Sequence, residues 1–211
     1  ARDALSRFAD AVEAYRRAAR LKPQDAGVRV LLATALRRAG RLDEAVAVAK
    51  EAVTLAPDDG EAHLNLGLLL VERKQLDEAA AELTAATRLK PELPKAWRWL
   101  GITQMKRNQP AAAIVALQKA QQLKPSAEVL TELGLAQRKQ GSVAEAERSF
   151  RMALDVDPRY HAARVHWLYT LAATNRCPEV RKELGKYSLP SEFTESLNRI
   201  KATCQWADSK K

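Results

Sequence analysis

Five proline stops pace this chain. Leu21-Lys22-Pro23, Leu55-Ala56-Pro57, Leu89-Lys90-Pro91 and Leu123-Lys124-Pro125 recur every 34 residues, and Val156-Asp157-Pro158 comes one residue early. Proline lacks an amide hydrogen and its ring clashes with the preceding turn, so each stop closes a helical pattern. Self-similarity at such a period marks an array of one supersecondary unit, in which no unit buries its apolar face alone. Between stops, every unit reads as two amphipathic helices parted by a polar break near Gly40, Lys74, Asn108 and Gly141. Tracts of Ala, Leu, Glu, Gln, Lys and Arg lose little side-chain freedom in a helix, and only 8 glycines interrupt the 211 residues. The class is therefore all-α. With 46% hydrophobic and 29% charged residues the chain can bury a core. Its most apolar stretch, Leu64 to Val71, is broken by Asn65 and followed by Glu72, Arg73 and Lys74, too short a run to cross a bilayer.

The units resemble the tetratricopeptide repeat (TPR), whose pattern of Trp, Leu-Gly, Tyr, Ala, Phe and Pro falls on Trp97, Leu100-Gly101, Ala113, Leu117 and Pro125. The preceding unit has Leu66-Gly67, Ala79, Leu83 and Pro91; the following one has Leu133-Gly134, Ala146, Phe150 and Pro158. A weaker copy has Leu32-Ala33, Ala45, Ala52 and Pro57, and Gln104 and Gln137 stand where the family often has Tyr. The resemblance implies a right-handed superhelical solenoid of helical hairpins. On this pattern residues 1–25 form the second half of a truncated first repeat, and 26–59, 60–93, 94–126 and 127–160 form full repeats. Residues 161–211 form a degenerate repeat, with Trp167 at the usual Leu position, followed by a disulfide-linked C-terminal capping helix. The small residues Gly67, Gly101 and Gly134 let paired helices approach closely, and a larger side chain would force them apart.

Near the end, 178–187 reads as a helix begun by Pro178, and Ser191 as the cap of a last helix in which Phe193, Leu197, Ile200 and Cys204 share one face. With the turn at residues 190–191, Cys177 and Cys204 lie equally far on either side of it. They would face each other, which admits a disulfide; two unrelated thiols, one on the apolar face, is the other reading. For a loop of this length the chain-entropy model assigns a bridge about 3.5 kcal/mol, and a bridge implies an oxidising compartment.

In a TPR stack the first helices line the concave side, so a groove is assigned by analogy to Val30, Leu31, Leu64, Asn65, Leu68, Val71, Trp99, Ile102, Met105, Leu135 and Tyr169. A solvated face would favour charge there; a mostly apolar one suits an apolar or amphipathic guest, with Asn65 able to hold guest backbone groups. The same positions also serve packing between repeats. A basic rim recurs where first helices end: Arg37, Arg38, Arg73, Lys74, Lys106, Arg107, Arg138 and Lys139. Cations at helix C-termini are favoured by the dipole, and the rim could also guide acidic flanks of a guest. Asp43-Glu44 and Asp77-Glu78 begin second helices, where the dipole favours them.

No HExxH, CxxC, phosphate loop or Gly-x-Ser-x-Gly element occurs, so neither catalytic residues nor cofactors nor metal ligands are assigned. His161 and His166, five apart, do not share a helix face, and His63 occupies a packing position filled by Trp97 in a later repeat. The formal charge of +9 biases encounters toward acidic partners, but dispersed acids and the lack of basic clusters with interleaved aromatics disfavour nucleic acid. The expectation is a monomeric, non-enzymatic adaptor. Within the family, an exported chain of about six units ending in a cysteine-bonded hairpin resembles the lipoprotein pilotins of type IV pilus systems. That resemblance implies a lipid anchor upstream of residue 1, a place in the periplasm or on the periplasmic face of the bacterial outer membrane, and a secretin subunit as partner. The alternative is a scaffold or co-chaperone reading an acidic peptide through the basic rim.

Overall fold

The computed structural model describes residues 2–205, among which all regular elements are helical. The chain divides into two compact units, Ala1–Leu123 and Lys124–Lys211. The first holds α1 (Arg2–Leu21), α2 (Ala26–Arg38), α3 (Leu42–Leu55), α4 (Gly60–Glu72), α5 (Leu76–Leu89), α6 (Pro94–Lys106) and α7 (Pro110–Leu123). The second holds α8 (Ala127–Gln140), α9 (Val143–Val156), α10 (His161–Ala173), α11 (Cys177–Lys186), a 3₁₀ turn (Ser191–Phe193) and α12 (Thr194–Thr203).

Local chemistry sets the helix ends. Asp25, Asp59 and Ser126 cap α2, α4 and α8, accepting the amides of Val28, Glu61 and Val129 at 3.1, 2.9 and 3.3 Å. Each polar break holds one residue with a left-handed backbone: Gly40 (φ 76°), Lys74 (64°), Asn108 (62°), Gly141 (95°) and Asn175 (60°). The next residue's amide then reaches back five positions, as Arg41 to Leu36 and Gln75 to Leu70, both 2.9 Å, closing the helix end as a Schellman motif.

In the first unit α2 pairs with α3, α4 with α5 and α6 with α7. Glycine permits the close crossing: a Cβ on Gly67 would fall 2.7 Å from Leu83, and one on Gly101 2.5 Å from Leu117. In the α2–α3 hairpin the equivalent pair is Ala33 and Ala49, both fully buried. The core runs through Leu32, Leu36, Val46, Leu66, Leu69, Leu70 and Leu83.

In the second unit α8 pairs with α9, and a Cβ on Gly134 would fall 2.5 Å from the Phe150 ring. Gln137, in the usual Tyr place, is buried with its Oε1 satisfied by the Ser149 hydroxyl at 2.7 Å. α10 lies on α9 and α8, and the backbone contacts of both α11 and α12 run chiefly to α10. Val165, Leu168, Leu171, Val180 and Ile200 form the core there, flanked by Trp167, Leu184, Phe193 and Cys204. The Cys177–Cys204 disulfide closes this end, with Cα atoms 5.6 Å apart. Two local expectations are corrected. α11 begins at Cys177, one residue before Pro178, and Ser191 opens a 3₁₀ turn instead of capping α12; its carbonyl accepts the Thr194 hydroxyl at 2.7 Å.

A recurring contact was not visible in the repeat pattern. Six residues after the stop proline, a side chain donates to that proline's carbonyl: Trp97 Nε1 to Pro91 at 2.8 Å and Arg164 Nη2 to Pro158 at 2.6 Å, while His63 Nε2 lies 3.0 Å from the carbonyl of Pro57. His63 also meets Glu82 through Nδ1 at 2.7 Å, so it ties a loop to α5 instead of filling an apolar core. These side chains satisfy a loop carbonyl that the missing proline amide cannot help to order.

Candidate functional site

Within the first unit α2, α4 and α6 stand side by side, whereas α3, α5 and α7 make no comparable approach to one another among the described residues. The unit therefore curves toward its first helices. On that face Leu31 is 48% exposed, and Val30, Leu68, Trp99, Ile102 and Met105 are partly exposed. Leu64 and Val71 do not belong to it: at 6% and 7% exposure both are members of the core. α4 is flanked by α2, α3, α5 and α6, so most of its circumference is covered, and the assignment of these two residues to a contact surface is corrected. Leu68 and Trp99 keep one side against the same core and the other in solvent.

Asn65 sits among these side chains with its polarity half used. Its Nδ2 donates to the Thr34 hydroxyl at 3.1 Å, and that hydroxyl donates to the Val30 carbonyl at 2.9 Å. The Oδ1 is buried without a donor among the described residues, and an orphan acceptor of this kind costs free energy until an N–H reaches it. Beside it, Phe8, Ala11 and Tyr15 of α1 and Leu31, Thr34 and Arg38 of α2 border a hollow of about 380 Å³.

Three of the eight basic-rim residues are tied to internal acids. Arg37 pairs with Glu72 at 3.5 Å, Arg73 with Asp43 at 3.0 Å and Arg107 with Asp77 at 2.8 Å. Asp43 and Asp77 thus do more than complement a helix dipole: each holds the arginine 30 residues further on. That spacing could have been read from the sequence, since Asp-to-Arg at 30 recurs from one hairpin to the next. Arg38 lies over the Phe8 ring, 5.7 Å from its centroid, and Lys74, Lys106 and Lys139 are exposed.

In the second unit Leu135 is partly exposed and Tyr169 is 43% exposed. Arg138 is half-buried. Its guanidinium stands 5.9 Å from the Phe150 ring centroid and 5.2 Å from that of Tyr169. Its Nη1 makes two long bonds of 3.4 Å, to the His166 carbonyl and the Thr170 hydroxyl. Burial lowers the pKa of Arg138, and burial together with the adjacent Arg138 charge lowers that of His166, which stacks on Phe150 at 5.9 Å. These groups open on a cavity of about 490 Å³ completed by Val165, Ser196, Arg199 and Ala202. Among the described residues no cluster of three or more His, Cys, Asp or Glu could hold a metal ion, and no helix is long and apolar enough to cross a membrane.

Comparison with known proteins adds the following. Tetratricopeptide repeat models match residues 1–60, 30–94 and 64–128, and a second such model matches 127–160. Among curated proteins no relative matches. Similar solved structures include YrrB, described as a TPR protein with an unusual peptide-binding site, with 23% identity, a TM-score of 0.70 and coverage of 92% of this chain and 93% of that one. TTC0263, a thermophilic TPR protein of Thermus thermophilus, has 23% identity, a TM-score of 0.61 and coverage of 80% and 92%. MamA of Desulfovibrio magneticus RS-1 has 19% identity, a TM-score of 0.65 and coverage of 87% and 97%. At these identities the structural likeness speaks for the TPR solenoid fold alone. The repeat models, the hairpins closed by Schellman turns and the glycine-mediated helix crossings agree, and the chain belongs to the tetratricopeptide repeat family.

Proposed function

We propose that this protein is a non-enzymatic adaptor that holds an apolar or amphipathic segment of another protein against the first helices of its repeats. TPR membership supports protein–protein interaction as its work. One observation carries the finer reading. On the inner face of the first unit Leu31, Leu68, Trp99, Ile102 and Met105 keep apolar surface in solvent. Apolar area of that kind gains about 25 cal/mol per Å² when covered. The paired state of Arg37, Arg73 and Arg107 weighs against an acidic-peptide scaffold working along the whole rim.

As the specific setting we propose a pilotin-type lipoprotein of a type IV pilus system, monomeric, anchored at the periplasmic face of the outer membrane, with a secretin segment as guest. The Cys177–Cys204 bridge supports an oxidising compartment.

Capture from native membranes, quantified by mass spectrometry, tests both levels. Leu31→Glu and Leu135→Glu should lower recovery of the guest roughly tenfold or more, the loss expected for one central contact residue, with helicity unchanged by circular dichroism. Neutralising Lys74 and Lys106 should leave capture intact. Normal capture by both glutamate variants would remove the groove, and capture of a guest other than a secretin would remove the pilotin assignment while keeping the adaptor.

A further inference from the structure

After its last stop proline the chain departs twice from the residues that other repeats use, and both departures bring nitrogen donors to one place. Six residues after the stop, where Trp97 and His63 each turn one ring nitrogen to the proline carbonyl, stands Arg164. Its Nη2 alone meets the Pro158 carbonyl, at 2.6 Å, so the charge and the remaining nitrogens exceed what the loop needs. Arg164 is nevertheless only 4% exposed, and it pairs with no acid among the described residues. A charge taken that far out of water is costly until a counter-ion meets it. Three residues on, where other repeats have Leu66, Leu100 and Leu133, stands Trp167. Its Nε1 is buried without an acceptor, whereas a leucine would bring no polar atom to satisfy.

Both side chains line a cavity of about 390 Å³ between α9, α10 and the end of α11. Arg151 joins them from α9, exposed and without an acid partner among the described residues. Tyr187 holds the Arg164 guanidinium in place, with the guanidinium carbon 3.6 Å from the ring centroid. Of the two carboxylates at the cavity, Glu183 is engaged by Lys186 at 2.8 Å, which leaves Asp155. Two arginines against one free carboxylate give a single net positive charge, enough to balance a monoanion. The donors arrive from α9 and from two positions on α10. They suit a tetrahedral anion, with oxygens in several directions, better than a planar carboxylate with two on one edge. Exposed apolar side chains flank the opening: Met152 lines an adjoining hollow that shares Arg151 and Asp155, and Val156 follows on the same helix.

We propose that this cavity binds a phosphodiester. Arg164 and Arg151 take its charged oxygens, Trp167 donates its Nε1–H to a third oxygen, and the apolar part of the ester lies against Met152 and Val156. The diester is either a soluble molecule or the head group of a phospholipid. The site shares no residue with the groove positions or the basic rim, so it stands apart from the adaptor reading.

Glycerophosphoglycerol and phosphatidylglycerol vesicles test it on the whole chain, with acetate at equal ionic strength as a planar monoanion. NMR follows the Trp167 indole N–H and the Tyr187 ring protons, and cosedimentation follows the vesicles. A saturable shift with glycerophosphoglycerol and none with acetate is expected. Arg164→Trp and Trp167→Leu return the two positions to residues that other repeats use. Each should keep the helical circular dichroism and weaken diester binding roughly tenfold, read in Trp167→Leu from the tyrosine ring. Arg151→Gln, at an exposed position, should weaken it to a similar degree and serves as the test if either buried variant misfolds. Cosedimentation that these variants abolish identifies a lipid head group. Cosedimentation that is absent or insensitive to them, beside a shift with glycerophosphoglycerol, identifies a soluble diester. Acetate binding as well as the diester, no saturable binding of either diester, or affinity unchanged within about twofold in Arg151→Gln would overturn the proposal.

Discussion

The packing of paired helices turns on one atom's width, and Gly134 is where it can be measured. A Cβ added there would lie 2.5, 2.8 and 2.9 Å from Cε1, Cδ1 and Cζ of Phe150, a ring that is fully buried and cannot bend out of the way. Overpacking a close-packed core costs about 1–3 kcal/mol, while alanine in place of a helical glycine returns about 0.8–1.0 kcal/mol. Gly134→Ala should therefore destabilise by up to about 2 kcal/mol. In a Phe150→Ala background, itself about 3–5 kcal/mol less stable, the clash is gone and only the helical gain remains. The same substitution should then stabilise by about 1 kcal/mol, so its sign reverses. The chain contains that arrangement already: Ala33 faces its hairpin partner with Ala49 at the place of Phe150, both fully buried. Urea unfolding followed by circular dichroism gives the four free energies of the cycle, and amide exchange in α8 and α9 localises the effect. Stabilisation by Gly134→Ala in both backgrounds, with effects additive within about 0.5 kcal/mol, would show that the ring does not limit the approach of the helices.

Three other outcomes follow from single features. Lys74 holds a left-handed backbone at φ 64° where two other breaks have glycine, so Lys74→Gly should raise stability by about 1 kcal/mol, read from the urea midpoint at unchanged slope. Replacing Cys177 and Cys204 by serine opens a loop spanning 27 residues and should lower the stability of the second unit by about 3.5 kcal/mol, with amide protection in α4 and α5 unaffected. His166 is held below its ordinary pKa of 6.5 by burial and by Arg138, so on acidification the unfolded chain takes up the proton first. Stability should fall as the pH drops below about 6.5, and His166→Gln should remove that part of the slope between pH 7.5 and 5.5 in parallel urea titrations.

What could be read in advance, and what could not, divides by the distance over which a residue acts. Stop prolines, Asp and Ser caps and the breaks at Gly40, Asn108 and Gly141 act within a turn of helix, and they place the hairpins from sequence. The fate of a side chain on the first helices depends instead on whatever stands about one repeat away. Leu64 and Leu68 are both leucines on α4, yet one is covered by neighbouring helices and the other keeps a face in solvent. Residue type cannot separate them, because both satisfy the same amphipathic pattern. Equal spacing about a turn admits the cysteine bridge without deciding it; the helices beside it pack chiefly on α10, so proximity there comes from a shared neighbour. Charge follows the same logic with a simpler code. Arg37 is neutralised by an acid 35 positions later, Arg73 and Arg107 by acids 30 positions earlier, and Arg138 meets Ala173 where its acid would stand. Four basic groups that look alike along the sequence thus separate into three paired with acids and one, Arg138, set between aromatic rings. What separates them is a comparison across repeats, because in a stacked array the contact partner of a residue is written one repeat away.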